Sequence, residues 1–293
     1  MNQLQDLIGR TPLIEFKKMN PNPRVKIFGK LEGHNPGGSV KDRAAYFMIK
    51  NALETGKVPT GGQLIEATSG NTGIALAMMA RILGVNIELV MPEGSTIERI
   101  KTMRAFGAIV TLTPADLGME GAIDYATKKS RSNGVFMLDQ FSNPYNPQAH
   151  YETTGPEIWS DTMGQVTHFV AAMGTTGTIM GVSRFLNEMD PTIKIIGAQP
   201  SEGSKIPGIR KWPEEYLPKI YNPTQVDRII EVSSEEASHV ARRLALEEAV
   251  FSGMSSGGSV FAALQIAREI EQGIIVCIIC DRGDRYLSTE LFE

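Results

Sequence analysis

The sequence predicts an α/β fold, a mostly parallel sheet with helices on both faces. Three observations predict it. Strand-like apolar runs alternate with helical patterns almost from end to end; the alternation recurs as β-α units; and glycine- and hydroxyl-rich turns sit where strands hand over to helices. At about 150 residues per domain, a chain of 293 residues has room for two domains or one large one.

The elements follow in order. Gln63–Ala67 (QLIEA) reads as a strand, and Thr72–Leu83 as a buried helix of small residues stopped by Gly84. Asn86–Met91 is a second strand. Thr96–Phe106 reads as a helix with Gly107 just past its end, and Ala108–Thr113 as a third strand. Glu120–Ser132 is helical, and Asn133–Gly134 turns the chain into strand Val135–Asp139. The pattern pauses at FSNPYNPQAHYETTGPEIW, rich in Asn, Pro and Gly, which reads as a boundary between domains. It resumes with strand His168–Met173, the loop GTTGT, helix Ile179–Met189 and strand Ile193–Ala198. Pro200–Asn222 is long, proline-rich and aperiodic, the signature of a functional or mobile loop. Ser233 with Glu236 three residues later forms a capping box that opens a helix to about Glu248. A helix from Ser259 to Glu271 leads into strand Ile274–Cys280.

Composition excludes several classes. Lys and Arg total 29 against 33 Asp and Glu, so there is no basic excess for neutralising nucleic-acid phosphates. Two cysteines cannot build a disulfide scaffold. No apolar run approaches the roughly 18 residues of a membrane span, and the N-terminus lacks a basic segment followed by an apolar one. A cytoplasmic protein without membrane or nucleic-acid partners is the expectation. Cys277 and Cys280 lie in an apolar strand, where a spacing of three points the side chains to opposite faces, so packing outweighs metal binding. His34, His150, His168 and His239 have no metal-ligand spacing.

Three segments carry chemistry. TSGNTG (68–73) and GTTGT (174–178) each follow a strand and open a helix, and MSSGG (254–258) lies just before the helix read from Ser259. Glycine allows close approach of backbone N–H groups, and a helix N-terminus offers unpaired donors and partial positive charge, so such turns bind anions. One turn alone reads equally well as a tight β-α connection; three at equivalent places weaken that alternative. GTTGT is neither G-x-G-x-x-G nor a P-loop, which disfavours a dinucleotide and a dehydrogenase, and its hydroxyls suit a single phosphate monoester. A small one-phosphate cofactor in an α/β enzyme points to pyridoxal phosphate, which needs a lysine. Lys41 follows the Asn35-Pro36-Gly37-Gly38 turn and begins the helical stretch KDRAAYFMIKNAL; the field of a helix N-terminus and burial both lower a lysine's pKa.

With KLEGHNPGGSVKDR, TSGNTG, GTTGT and MSSGG in view, the chain resembles the pyridoxal-phosphate enzymes of fold type II, the tryptophan-synthase β-like group, and within it the cysteine synthases (O-acetylserine sulfhydrylases). The likeness runs from IGRTPL to DRGDRYLST; HYETTGPEIW, IPGIRKWPEEYLP and IICDRGDRYLS resemble the B isozyme pattern. The resemblance implies two three-layer α/β domains with twisted, mostly parallel sheets: residues 1–12 and 35–145 as a mobile N-terminal domain carrying the substrate loop, and 13–34 and 146–293 as the C-terminal domain binding the cofactor phosphate.

It also implies roles. Lys41 matches the lysine that carries the cofactor and then removes the Cα proton. Thr68, Ser69, Asn71 and Thr72 match the loop holding the substrate carboxylate, with Asn71 also on the cofactor's ring oxygen. Gly174, Thr175, Thr176, Gly177 and Thr178 match the phosphate cradle, and Ser255 the residue facing the pyridine nitrogen. A neutral hydroxyl there favours loss of a β-leaving group over transamination, so acetate leaves O-acetyl-L-serine, an α-aminoacrylate forms, and sulfide, or thiosulfate, adds to give L-cysteine or S-sulfocysteine. Arg210 suits an oxyanion through its planar fork. Lys211 stands where the B pattern more often has a second arginine, and Arg10 where Asn is usual. O-phosphoserine-dependent or cystathionine β-synthase-like replacement, and a non-catalytic binding protein on the same fold, are the alternatives. The resemblance implies a homodimer, and the B-type pattern argues against a complex with serine acetyltransferase.

Overall fold

The computed structural model describes residues 3–68, 70–132 and 134–293. The first part of the chain supplies β1 (Leu13–Glu15), β2 (Val25–Leu31), α1 (Lys41–Glu54), β3 (Gln63–Ala67), α2 (Asn71–Leu83), β4 (Asn86–Pro92), α3 (Ile97–Ala105), β5 (Ile109–Thr113), α4 (Gly118–Ser130) and β6 (Val135–Met137). The remainder supplies α5 (Tyr145–Ala149), α6 (Gly155–Asp161), β7 (His168–Ala172), α7 (Gly177–Met189), β8 (Lys194–Pro200), β9 (Arg228–Val232), α8 (Ser234–Glu248), α9 (Met254–Glu269) and β10 (Gly273–Ile279).

Among the described residues the strands form two sheets, in the orders β1-β2-β10-β7-β8-β9 and β5-β4-β3-β6. Every pairing is parallel except β1 with β2. Each sheet is the middle of three layers, because a parallel strand buries both faces. Along β10, Ile275 and Cys277 join the core under α8 and α9 with Val240, Leu244, Val260 and Leu264. Val276 and Ile278 join the opposite core with Ile158 of α6 and Ile179, Val182 and Leu186 of α7. Cys277 and Cys280 thus fall on opposite sides of their sheet, as the period of two requires. In the smaller sheet, Leu64, Ile87 and Leu89 pack under α1 and α2, while Ile65, Ala67 and Val90 meet Met119, Ala122 and Ala126 of α4.

Two readings of the sequence change. The stretch 141–159 is mostly helix rather than a loop boundary. α5 and α6 are joined by a π-helical turn at His150–Thr154, and Pro156, the second residue of α6, follows this change in the hydrogen-bond ladder. MSSGG, read as a loop before the helix, is the first turn of α9, which begins at Met254. Gly257 serves helix packing there: a Cβ would collide with the Ala237 carbonyl of α8. β1, β2 and β9 have no counterpart in the sequence reading. The first is three residues long and the others are short runs with charged residues interspersed, so their apolar signal is weak. The Asn133 half of the predicted turn lies outside the described residues.

Candidate active site

The site forms where the two sheets present the carboxyl ends of their strands, the position at which α/β folds bind ligands. Lys41 is the first residue of α1. Its placement comes from the preceding turn: Val40 N–H donates to the Cys280 carbonyl at 2.8 Å, and Ser39 forms a β-bridge with Asp281, which ties the start of the helix to the end of β10. Burial lowers the Lys41 pKa, with Cys280, Asp281 and Glu32 pulling the other way. The direction matches the expectation from the sequence, and desolvation is the leading cause.

Lys41, Thr68, Asn71, Thr72, Gly174, Thr175, Thr178, Arg210 and Ser255 all line one cavity of about 790 Å³. Thr176 and Gly177 stand behind that wall, and Ser69 lies outside the described residues. Thr68 Oγ1 accepts from Gly73 N–H at 3.1 Å, so its side chain acts as a cap for α2 while its surface faces the cavity. Asn71 is held on both ends of its amide. Nδ2 donates to Asp281 Oδ2 at 2.6 Å, and Oδ1 accepts from Arg285 Nη1 at 2.6 Å, leaving one N–H for a ligand. Tyr286 OH also donates to Asp281 Oδ2 at 2.6 Å. Ser255 is buried at the start of α9, and Ser256 Oγ accepts from Cys280 N–H at 2.9 Å.

The turn from β7 into α7 fits a phosphate. Thr176 holds φ of +71°, a strained setting for a threonine, and its buried Oγ1 has no hydrogen-bond partner. Thr175 Oγ1 accepts from Asn146 Nδ2 at 3.0 Å, and a Cβ on Gly177 would collide with that Asn146 side chain. Behind Thr178 stands His150. Its Nδ1 lies 2.9 Å from Thr154 Oγ1 and its Nε2 3.2 Å from Thr178 Oγ1. Burial drives its pKa from 6.5 down to about 3, and Arg43 and Lys41 add to the effect, so the ring is neutral and can accept at one nitrogen and donate at the other. A helix N-terminus opening onto the cavity, the Thr175 and Thr178 side chains that line it and a neutral imidazole backing Thr178 form a cradle that fits the phosphate of pyridoxal phosphate.

Arg210 is not a free cation. Its Nη2 donates to Glu120 Oε1 at 2.8 Å, and its guanidinium lies 4.5 Å over the Trp212 ring. Lys211 pairs with Glu231 at 2.7 Å. Beneath Lys41, Arg43 is fully buried. It forks onto Glu32 with 2.7 Å bonds from Nε and Nη2 and reaches Glu157 at 2.7 Å and 2.8 Å. Burial pushes the Glu32 pKa up, but Arg43 outweighs it and holds the carboxyl below its ordinary range. On the opposite wall, Gln140 Nε2 donates to the Ala67 carbonyl at 2.7 Å. Glu66 accepts from the Asp139 and Gln140 amides, and burial raises its pKa to about 8.

Sequence reasoning assigned no role to His150, Glu120, Gln140, Asp281, Arg285 or Tyr286. A signal existed for His150, whose spacing of four from Thr154 places them on one helical face. DRGDRYLST carried the family likeness, yet nothing local says that its Asp281 and Arg285 meet Asn71.

These features define an α/β enzyme that holds a phosphate-bearing cofactor beside a buried lysine. The family described as "Pyridoxal-phosphate dependent enzyme" matches residues 4–281, and the chain belongs to it. Within that family it is 53% identical over 290 residues to "Cysteine synthase B" of Pseudomonas aeruginosa, covering 99% of this chain and 97% of the relative. It is 52% identical over 292 residues to "Cysteine synthase B" of Escherichia coli K12, covering 100% and 96%. The crystal structure of cysteine synthase from Entamoeba histolytica superposes with a TM-score of 0.93 at 38% identity, covering 100% of this chain and 90% of that one.

Proposed function

We infer that the chain is a pyridoxal-phosphate-dependent cysteine synthase that forms L-cysteine from O-acetyl-L-serine and sulfide. The observation that carries this is that the Lys41 side chain and the turn into α7 face one cavity, so an amine and a phosphate cradle address the same ligand. The bound cofactor supplies an electron sink for the bond broken at Cα. Lys41 holds it and afterwards moves the Cα proton, a task suited to an amine whose charge burial disfavours. Gly174, Thr175, Thr176, Gly177 and Thr178 bind the phosphate, with His150 orienting the Thr178 hydroxyl. The remaining Asn71 N–H meets the ring oxygen, and Ser255 faces the pyridine nitrogen. Thr68, Ser69, Asn71 and Thr72 bind the substrate carboxylate at the start of α2. The Cβ–O bond to acetate breaks, acetate departs, and the incoming sulfur forms the new bond to Cβ. Arg210 serves oxyanionic sulfur donors, which makes thiosulfate an alternative to sulfide and S-sulfocysteine its product.

The sheet membership of β1 and β2 supports a division into 1–12 with 35–145 and 13–34 with 146–293, the first unit closing over the substrate. A cytoplasmic homodimer without a serine acetyltransferase partner belongs to the same reading, and sedimentation of the purified enzyme tests the dimer. Borohydride reduction of the holoenzyme followed by peptide mapping tests the core of it. The cofactor label is expected on Lys41, and a label on any other residue overturns the assignment.

A further inference from the structure

We propose that Glu120 is a specificity-determining residue for the sulfur donor: through its pair with Arg210 across the mouth of the cavity it disfavours doubly charged oxyanions of the thiosulfate class relative to sulfide. The inference rests on the cysteine synthase reading above. It begins from how firmly Arg210 is held. Its backbone N–H donates to the Met173 carbonyl at 3.0 Å, and its guanidinium stacks on Trp212. Trp212 in turn donates from Nε1 to the Gly174 carbonyl at 2.8 Å and meets Phe141 edge-on at 5.1 Å between ring centres. The guanidinium is therefore anchored beside the turn into α7, on the side of the six-stranded sheet.

Glu120 arrives from the other sheet. It stands in the first turn of α4, whose buried face packs on β3 and β4. The pair is partly open to solvent, with side-chain exposures of 37% for Arg210 and 28% for Glu120. Only Nη2 bonds the carboxylate, so the guanidinium keeps donors for a second anion. An oxyanion that takes up those donors does so beside an existing carboxylate. It competes for the same positive charge and is repelled by the negative one, and the penalty rises with its own charge. Bisulfide carries one charge and no oxygen, and does not need the fork. Lys211 beside it is likewise paired, with Glu231 at 2.7 Å.

The test compares the wild-type holoenzyme with Glu120→Gln, using O-acetyl-L-serine as donor. kcat/KM is measured with thiosulfate and with sulfide, and inorganic sulfate is titrated as an inhibitor of the sulfide reaction. The variant should use thiosulfate about two- to fivefold better, the range a partly exposed ion pair supports. Sulfate should inhibit more strongly by the same factor, with the sulfide reaction unchanged. In an Arg210→Gln background the same substitution should change neither. Thiosulfate and sulfide moving together, sulfate inhibition unaltered by Glu120→Gln, or a gain that survives the loss of Arg210 each overturns the proposal. A wild-type enzyme that makes no cysteine from sulfide overturns the activity itself and this inference with it. A sulfide-competent enzyme that fails the sulfate arm overturns this inference alone.

Discussion

His150→Gln isolates the cost of keeping one imidazole neutral at the back of the phosphate cradle. The folded protein holds His150 near 3, against an ordinary 6.5, because burial disfavours its charge and Arg43 adds to that. Between those values the unfolded chain binds a proton that the native state refuses, so stability falls as the pH drops. At pH 5 the two protonation equilibria differ by about 2 kcal/mol, and near pH 3 by about 4 kcal/mol. Glutamine can place an amide close to the position of Nε2 and has no proton to gain. Urea unfolding at pH 7, 6 and 5, with cofactor in excess, should therefore show the wild type losing about 2 kcal/mol more than the variant between pH 7 and 5. The other titrating groups are common to both proteins and cancel in the difference. Parallel stability profiles for the two proteins would refute the claim that His150 is neutral and desolvated.

Other substitutions probe the supports of the site. Glu32→Gln removes one of the two carboxylates onto which buried Arg43 forks and, with Glu157 still paired to it, should cost about 1–3 kcal/mol in thermal or urea unfolding, whereas no measurable loss contradicts a desolvated pair. Gly177→Ala drives a methyl into Asn146, which also holds Thr175, so cofactor retention in equilibrium dialysis should weaken, while the cofactor that does remain is still trapped on Lys41 by borohydride. Ser255→Asp places a carboxylate where the pyridine nitrogen is expected; β-replacement should slow and side products appear by chromatography, and an unchanged rate and product spectrum counts against the proposed role of the hydroxyl.

The β-α alternation, the two turns that open α2 and α7, and the position of Lys41 at a helix start were all legible, because each is a local pattern of period or turn chemistry. Helix boundaries were legible where a cap announced them, as at Ser233, whose side chain accepts from Glu236 N–H at 3.1 Å. What escaped depends on sequence separation. Asn71 and Asp281 meet across 210 residues, and Arg210 and Glu120 across 90, and no local pattern encodes such a meeting. The segment 141–159 misled for a different reason. Its prolines are breakers inside a helix, but here one stands just before α5, one in its first turn and one directly after the π-helical turn, where the hydrogen-bond ladder already changes register. MSSGG misled because glycine serves close helix packing as readily as it serves a loop.

The contacts that join the two sheets around the cavity differ in what it costs to break them. Arg43, on the α1 side, is fully buried against Glu32 and reaches Glu157 of α6, so separating it strands an uncompensated charge and costs several kcal/mol, on the order of 3–5. Arg210 and Glu120 are each partly exposed, and water replaces whatever either loses; such a pair contributes about 1 kcal/mol or less. Thermal energy reaches the second and not the first. Parting the sheets at the Arg210–Glu120 pair therefore costs less than parting them at the base, where Arg43 lies two residues from Lys41. A site arranged in this way can admit and release small molecules at little cost while the amine stays registered against the phosphate cradle. The exposed pair is then free to discriminate among anions because it carries almost none of the fold's stability.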